Sequence, residues 1–345
     1  MIHREIDVSN RVVYSNGRTD RPPRWEPSVP DHDRALGVGE LIAHRHREGS
    51  TPGQRTDSHR LALVIEGGSS RGAYSHGMAM AIEELGVLPC FDAVYGASAG
   101  ALNAAWLLCG RAVDSRRAWH PEVINRVINP VRALRGGTVV DTEYLVHTVY
   151  ERIVPMDFPA ILANSVTFHP IATDADTGAA VDLHPELSDV GSVQAALRAS
   201  TCLPILAGRP VRIGARRYVD AGLSESIPVP TALAQGATHV LVLRTRRAGE
   251  TMRPPSTVES RVVARFLARH APGTVGPWLE RVQRHHNDER DLESDPAVLQ
   301  IRPPHSAPDI GRIDRDPAVL QQALTLGRAA TARTLSAYLT PKLSA

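Results

Sequence analysis

The clearest pattern of hydrophobic and polar positions lies between residues 61 and 110 and predicts two successive strand-helix units. Residues 61–66 form a short, mostly apolar run, as expected for a parallel strand covered on both faces. After a Gly-rich turn, apolar residues recur at helical spacing, and Gly86 is placed to end that helix. A second apolar run, 91–95, precedes another tight turn and a helix that ends near Gly110.

The pattern further along the chain fits one large α/β domain. Further strands are predicted at residues 166–172, 210–213, 216–219, 238–244 and 298–301, the last as an edge strand. Further helices are predicted at residues 142–152, 192–200, 228–236, 258–269, 278–286 and 318–339.

The turn after the second strand contains a candidate nucleophile, Ser98. Its surroundings, Gly96-Ala97-Ser98-Ala99-Gly100, fit the GxSxG nucleophile elbow, in which a serine sits at a sharp turn from strand to helix. Such a turn places the hydroxyl at the N-terminus of the next helix, whose dipole favours developing negative charge. The pentapeptide alone is a weak signal, because glycine, alanine and serine are common in turns.

The turn after the first strand is the Gly-rich sequence GGSSRG. A right-handed crossover between parallel strands puts both turns at the same edge of the sheet. The N–H groups of Gly67, Gly68 and Ser69 could then point at the oxyanion formed when Ser98 attacks a carbonyl. Alone, this loop would equally suit a phosphate at a helix N-terminus. The two turns together, in this order, favour acyl transfer.

With a third motif, these turns resemble the patatin-like phospholipase family. That family carries a GGxxRG oxyanion loop, a GxSxG elbow and a later Asp-Gly-Gly or similar motif that supplies a catalytic aspartate. The corresponding stretches here are Gly67-Gly68-Ser69-Ser70-Arg71-Gly72, Gly96-Ala97-Ser98-Ala99-Gly100 and Asp220-Ala221-Gly222. The likeness covers most of the chain after Arg60. It departs at Ser69 and Ala221, which add a Cβ where the family often has glycine, and at Ser226, where the family often has asparagine.

The resemblance implies a fold and a reaction. The fold would be a three-layer α/β sandwich with a central, mostly parallel sheet. The reaction would be phospholipase A-like cleavage of a lipid or other acyl ester by a serine acyl hydrolase. Ser98 would be the nucleophile and Asp220 the base of a Ser-Asp dyad. The implied oxyanion loop comprises Gly67, Gly68, Ser69, Arg71 and Gly72, while Gly96 and Gly100 frame the elbow.

The composition of the chain and the extent of the resemblance together predict three regions. Residues 1–58 are rich in Arg, Asp, Pro and His and are expected to form an N-terminal extension that is partly disordered or wraps the domain. Residues 59–245 hold the patatin-like catalytic core. Residues 246–345 are predicted to be a helical region packed on that core. Its basic helices, with Arg261, Arg265, Arg269, Arg281 and Arg284, would either be solvated or touch anionic lipid headgroups.

Composition excludes several other classes of protein. The net charge of +2 argues against nucleic-acid binding. Cys90, Cys109 and Cys202 are widely spaced and odd in number, which fits reduced core thiols. The isolated histidines His44, His46 and His59 and the aspartates at 174–176 match no metal-site pattern, so neither a metal nor another cofactor is expected.

The N-terminal sequence lacks the pattern of a secretory signal, and the apolar stretch 99–109 is too short to span a membrane. We therefore expect a cytoplasmic protein. The sequence leaves open whether it contacts a membrane peripherally and what its oligomeric state is.

Two alternatives to the dyad remain. One is an α/β-hydrolase with a Ser-His-Asp triad, whose histidine would follow the serine in the chain: His239, His270, His285, His286 or His305. The other is a non-catalytic lipid-binding protein that retains the elbow. The physiological acyl ester and its chain length stay open in every case.

Overall fold

The computed structural model describes residues 36–340 of the chain. Its strands are β1 (Leu61–Ile65), β2 (Ala93–Ala97), β3 (Thr167–Asp174), β4 (Ala180–Asp182), β5 (Val211–Ile213), β6 (Arg216–Val219), β7 (His239–Leu243) and β8 (Val298–Ile301). Its α-helices are α1 (Val38–Arg47), α2 (Gly72–Glu84), α3 (Ala99–Leu108), α4 (Pro121–Val127), α5 (Thr142–Tyr144), α6 (Phe158–Ala163), α7 (Val190–Ser200), α8 (Val229–Ala234), α9 (Thr257–His270), α10 (Val275–Ser294) and α11 (Pro317–Leu339). Short 3₁₀ turns occupy Ser69–Arg71, Leu88–Cys90, Asp114–Trp119, Pro130–Arg135, His184–Glu186, Ala221–Leu223 and Pro272–Thr274.

The strands form one mixed sheet in the order β5-β6-β3-β2-β1-β7-β8, and β4 also pairs with β3. The pairs β3/β2, β2/β1, β1/β7 and β7/β8 are parallel, whereas β4, β5 and β6 form antiparallel pairs at one side. Ile65 of β1 lies opposite Gly96 of β2 and Leu243 of β7, so these strands end at one edge. The predicted mostly parallel sheet is confirmed, with the turns after β1 and β2 side by side.

Helices cover both faces of the sheet. Leu61, Leu63 and Ile65 of β1 pack in a core with α1, α2, α3 and α11. Ala62 and Val64, which point the other way, pack with α8 and with the C-terminal part of α10. Both faces of β1 are therefore apolar and buried, which explains why its sequence is a continuous apolar run rather than an alternating one.

Several element boundaries differ from the predicted ones. The second strand begins at Ala93, not at residue 91, because Asp92 turns inward and accepts hydrogen bonds from Arg45 and from the N–H of Leu61, both at 2.8 Å. The helix predicted at 142–152 is α5 followed by a π-helix over Leu145–Ile153. Its buried residues recur at spacings that both helix types share, so the pattern could not distinguish them.

The segment before β1 is packed against the domain. In α1, Leu41 and Ile42 are fully buried, and the buried guanidinium of Arg45 bonds Asp57 at 2.7 Å and Asp92 at 2.8 Å. Residues 1–35 of the predicted N-terminal extension lie outside the described residues. No helix in residues 36–340 is long and apolar enough to cross a membrane.

Helices α2 and α11 cross in unusually close contact. Each carries a glycine at the crossing point, Gly77 in α2 and Gly327 in α11. A Cβ on Gly77 would overlap the carbonyl oxygen of Leu324, and one on Gly327 would overlap that of Tyr74. Because the obstacles are backbone atoms, a larger side chain could be accommodated only by moving a helix.

We expect Gly327→Ala to destabilise the protein by about 1–3 kcal/mol, because the added methyl overpacks this crossing. The matched control is Gly191→Ala in α7, an exposed position where a Cβ would meet nothing closer than Asp189 Oδ1 at 3.5 Å. That change should be neutral or stabilise by up to about 1 kcal/mol, since alanine favours a helix. Urea unfolding of both variants would measure the difference. Equal stabilities for the two variants would contradict the close crossing.

Candidate active site

Ser98 lies at the end of β2, immediately before α3, in a strained backbone conformation. Its φ is 53° and its ψ is −125°, values that an L-residue rarely adopts. The flanking glycines make room for this turn: a Cβ on Gly100 would overlap the carbonyl oxygen of Ile65, and one on Gly96 would lie 2.6 Å from Ala101 Cα. Glycine is thus required on both sides of the serine.

Ser98 and Asp220 are hydrogen-bonded. The Ser98 hydroxyl donates to Asp220 Oδ2 at 2.7 Å, and the N–H of Gly222 donates to Oδ1 at 2.8 Å. The backbone of Asp220 is fixed as well, because its N–H donates to Cys202 O at 2.9 Å and its carbonyl accepts from Thr173 Oγ1 at 2.8 Å. The aspartate directly follows β6, so the antiparallel side of the sheet delivers it to the elbow.

The environment of Asp220 makes its carboxylate more basic than usual. The side chain is only 3% exposed, and this burial raises its pKa from 3.8 to about 6. Hydrogen bonds from Ser98 and Gly222, together with the positive charge of Arg312, oppose part of that increase in pKa. At neutral pH the group is therefore ionised and able to accept a proton.

The Gly-rich loop offers two backbone donors rather than the three predicted. The N–H groups of Gly68 and Ser69 have no hydrogen-bond acceptor within residues 36–340. The prediction for Gly67 is wrong, because its N–H donates to the carbonyl oxygen of Ser226 at 3.0 Å. That bond joins the loop to the segment before α8, a contact between distant parts of the chain that a local motif cannot reveal.

Gly67 and Gly72 lie so close to neighbouring atoms that a side chain would not fit at either position. A Cβ on Gly67 would lie 2.9 Å from Ala97 O and 3.1 Å from Ser98 Cβ. A Cβ on Gly72 would lie 2.7 Å from the side chain of Ala99. These two glycines let the loop and the start of α2 approach the serine elbow closely.

Arg71 and Ser69 connect the Gly-rich loop to the segment before α11. Its Nη1 donates to the carbonyl oxygen of Ile310 at 3.1 Å, and the Ser69 hydroxyl donates to that of Arg312 at 2.6 Å. Burial, and then the nearby charge of Arg246, lowers the pKa of Arg71 to about 10. This cation at the start of a helix is thus paired with a backbone carbonyl rather than with a carboxylate.

The three departures from the family motifs have different structural consequences. Ser69 adopts a φ of 52°, so its Cβ adds strain where glycine would not. Ala221 has no such positive φ and is simply buried. Ser226 meets the loop through its backbone carbonyl, so the identity of its side chain does not affect that bond.

Two cavities meet at Ser98. The larger, about 320 Å³, also contains Gly68, Ser69 and Asp220 on its wall. The smaller, about 90 Å³, runs beneath the segment 118–150 and is mostly apolar. Its lining includes Leu102, Trp106, Ile124, Val127, Ile128 and Leu145. An ester carbonyl at Ser98 would thus have a cavity without charged side chains on one side and a cavity that includes arginines on the other.

No histidine within residues 36–340 hydrogen-bonds Ser98 or Asp220. His76 lines the smaller cavity, but its Nδ1 pairs with Asn103 Oδ1 and its Nε2 with Ala112 O, both at 3.1 Å. Burial lowers the pKa of His76 to about 4. The downstream histidines considered for a triad line neither cavity: His239, His270, His285, His286 and His305.

Three contributors to the site lie outside the predicted motifs. Ser200, the last residue of α7, accepts the N–H of Ser98 on its Oγ at 2.9 Å. Arg281 of α10 and Arg312 line the larger cavity. A small polar residue at a helix end before Pro204 was a weak signal for Ser200. The prediction for Arg281 left a solvated face or contact with lipid headgroups open, and the structure instead buries this side chain.

A protein-family model described as patatin-like phospholipase matches residues 63–233. The uncharacterized protein YjjU of Escherichia coli (strain K12) is 30% identical over 279 residues, which make up 78% of this chain and 75% of that protein.

Two solved structures also align with the chain. VipD from Legionella pneumophila covers 84% of this chain and 69% of its own, with 14% identity and a TM-score of 0.42. Human GIVD cytosolic phospholipase A2 in complex with methyl gamma-linolenyl fluorophosphonate covers 90% of this chain and 63% of its own, with 13% identity and a TM-score of 0.45.

The raised pKa of Asp220 predicts a pH-dependent stability difference between the wild type and Asp220→Asn. Below pH 3.8 the carboxyl is protonated in the folded and unfolded states alike. Between pH 3.8 and about 6 the unfolded chain loses this proton while the folded protein keeps it, so the stability of the wild type falls across this window and is constant above it. The free energy of unfolding of Asp220→Asn, minus that of the wild type, should therefore rise by about 2 kcal/mol between pH 4 and pH 7. Chemical unfolding of both proteins at several pH values in this range would measure the difference. A difference in free energy of unfolding that does not change with pH would contradict a buried, ionised Asp220.

Proposed function

Because the chain belongs to the patatin-like phospholipase family, we propose that it is a serine acyl hydrolase that cleaves acyl esters of lipids, with Ser98 as the nucleophile. The observation that carries the proposal is the 2.7 Å hydrogen bond from the Ser98 hydroxyl to Asp220, at the junction of the two cavities. A buried base bonded to a serine hydroxyl on the wall of a cavity is the arrangement that nucleophilic acyl transfer requires.

In the first step, Asp220 takes the hydroxyl proton while Ser98 Oγ attacks the ester carbonyl. The free N–H groups of Gly68 and Ser69 are the donors that we assign to the resulting oxyanion. A carboxylate with a pKa of about 6 remains a weak base towards an alcohol. Stabilisation of the oxyanion must therefore supply a large part of the rate enhancement.

Collapse of the tetrahedral intermediate breaks the ester bond, and the protonated Asp220 returns its proton to the leaving alkoxide. This leaves the acyl group on Ser98 Oγ. Asp220 then accepts a proton from water as its oxygen attacks the acyl carbonyl; the bond to Ser98 Oγ breaks, Asp220 returns the proton to Oγ, and the fatty acid is released. The same carboxylate thus serves both half-reactions, and no histidine takes part.

The smaller cavity is the proposed site for the acyl chain. Its apolar wall lies on the α3 side of Ser98 and would remove hydrocarbon from water. The larger cavity then receives the alcohol part of the ester and the water of the second step. The absence of a membrane-spanning helix in residues 36–340 is compatible with the cytoplasmic location that we propose, with access to lipid from the membrane surface.

The dyad predicts that Ser98→Ala and Asp220→Asn each lower kcat/KM for a short-chain nitrophenyl ester by about 1,000-fold or more. The wild-type kcat/KM should also fall below a pH of about 6, where Asp220 becomes protonated. A matched control is Asp176→Asn, which changes an exposed aspartate in the β3–β4 turn and should keep full activity. Circular dichroism would verify that all variants are folded.

Two outcomes would contradict this mechanism. A dead Ser98→Ala with a nearly unchanged Asp220→Asn would favour a histidine base and the Ser-His-Asp alternative. A folded wild type that neither turns over esters nor reacts with a fluorophosphonate would favour the non-catalytic lipid-binding alternative.

The acyl-site assignment predicts a change in chain-length preference. Ala118 lines the smaller cavity, and Ala118→Leu should fill part of it. We expect kcat/KM for nitrophenyl decanoate to fall about tenfold relative to that for nitrophenyl acetate, because two or more methylenes lose their apolar contacts. The control Ala234→Leu makes the same change at an exposed position in α8 and should leave the ratio unchanged. An unchanged ratio in Ala118→Leu would place the acyl chain elsewhere.

A further inference from the structure

The backbone N–H groups of Ser98 and Asp220 both donate to one short segment of the chain. The Ser98 N–H donates to Ser200 Oγ at 2.9 Å, and the Asp220 N–H donates to the carbonyl oxygen of Cys202 at 2.9 Å. Ser200 is the last residue of α7, and Cys202 follows two positions later. Residues 200–202 therefore bond the backbone of both members of the proposed dyad.

The backbone of Ser98 needs support because it is strained. Its φ of 53° and ψ of −125° are costly, and such a conformation persists only where surrounding contacts enforce it. The Ser98 carbonyl accepts from the N–H of Ala101, which is a local bond within the turn. Within residues 36–340, Ser200 supplies the only side chain that bonds the Ser98 backbone, from a position 102 residues further along the chain. This hydrogen bond ties the strained turn to α7.

The hydrogen bond between Ser98 and Ser200 lies in the protein interior. The side chain of Ser200 is fully buried. Ser200 lines neither of the two cavities, so it does not touch an ester bound at Ser98. Without the Ser200 hydroxyl, the Ser98 N–H would be buried without an acceptor, which favours a rearranged elbow in which this N–H finds another partner.

We propose that Ser200 is a positioning residue for the reaction at Ser98: its Oγ fixes the elbow so that the Ser98 hydroxyl points at Asp220. The same segment holds Asp220 through the carbonyl of Cys202, so residues 200–202 set the spacing of the two reacting groups. This inference rests on the proposed function, because the alignment serves a reaction at Ser98. Ser200 acts through Ser98 and transfers no proton itself.

The alignment of the dyad affects the pKa of Asp220. Burial raises this pKa to about 6, and the hydrogen bond from the Ser98 hydroxyl opposes part of that increase by favouring the carboxylate. If Ser200 no longer holds the elbow, that bond weakens and the pKa of Asp220 rises further. The other charged or titratable groups that interact with Asp220 are Arg312 and the buried thiol of Cys202, and a substitution of Ser200 removes neither.

Ser200→Ala should lower kcat/KM for a short-chain nitrophenyl ester by about 10- to 100-fold, because a displaced nucleophile no longer meets the ester carbonyl in the reactive geometry. The pH below which kcat/KM falls should also move upward from about 6 by about one pH unit, the effect of losing a hydrogen bond to a charged group. A purely structural role would reduce the amount of folded enzyme and leave this pH unchanged. The measurement is the pH profile of kcat/KM for both proteins, with circular dichroism to establish the folded fraction.

A second variant and a matched control accompany Ser200→Ala. Ser200→Cys keeps a side chain of similar size in case Ser200→Ala does not fold. Because sulfur is a weak acceptor, it should lower kcat/KM by about 3- to 10-fold and move the pH profile in the same direction. The control Ser50→Ala removes another buried hydroxyl, which accepts from Arg55 Nη1 at 3.2 Å and lines neither cavity. It should leave kcat/KM and the pH profile unchanged.

Unfolding measurements separate failure of this proposal from failure of the proposed function. The free energy of unfolding is measured with and without Asp220→Asn, in the wild type and in Ser200→Ala, at several pH values. In the wild-type background, the effect of Asp220→Asn should stop changing with pH above about 6. In the Ser200→Ala background it should keep changing to about one pH unit higher. That difference in a protein that hydrolyses no ester would support the role of Ser200 in aligning the pair and reject only the proposed function.

Three results would overturn the proposal. The first is an unchanged kcat/KM in folded Ser200→Ala. The second is a loss of kcat/KM without a shift of the pH profile, or an equal loss in Ser50→Ala, since either would assign the effect to general destabilisation. The third applies even without ester hydrolysis: an effect of Asp220→Asn on unfolding that levels off at the same pH in both backgrounds.

Discussion

Close backbone contact between the turns that follow β1 and β2 is the constraint on which the site depends. Gly100 lies against the carbonyl oxygen of Ile65, and Gly67 lies against that of Ala97. Only residues without a Cβ permit this approach, which brings the free N–H groups of Gly68 and Ser69 to the strained elbow of Ser98. The sheet register makes the contact possible, because β1 and β2 are parallel neighbours that end at the same edge.

A network of buried charged side chains stabilises the position of the Gly-rich loop. Glu66, the residue before Gly67, accepts hydrogen bonds from Arg244 Nε at 2.9 Å and from the N–H of Thr245 at 2.7 Å. These partners hold the pKa of Glu66 at about 2 despite its burial. Arg244 also bonds Glu289 of α10. One ion network therefore joins the Gly-rich loop, the end of β7 and α10. Removing the charge of Glu66 or of Arg244 would leave the other charge buried without its partner.

The pairing of Ser98 with Asp220 could be predicted from the sequence, whereas the contacts that hold these two residues in place could not. The spacing of glycines around Ser98 expresses a local steric requirement, so it is visible within five residues. The bond from the Gly67 N–H to Ser226 and the inward direction of Arg281 depend on tertiary packing. Helical periodicity counts arginine as polar, so it predicted that the basic side of α10 is solvated or contacts lipid headgroups. That side instead faces the domain, where Arg284 bonds the carbonyls of Leu223 and Ser224.

The two sides of the proposed nucleophile are built from different parts of the chain. The apolar cavity is formed by α3 and by residues up to 203, within the range matched by the family model. On the other side, residues 246–312 contribute three arginines. The same α10 carries Arg281 and, through Glu289, contacts Arg244 beside the loop. Helix α10 therefore connects the wall of the larger cavity to the base of the Gly-rich loop.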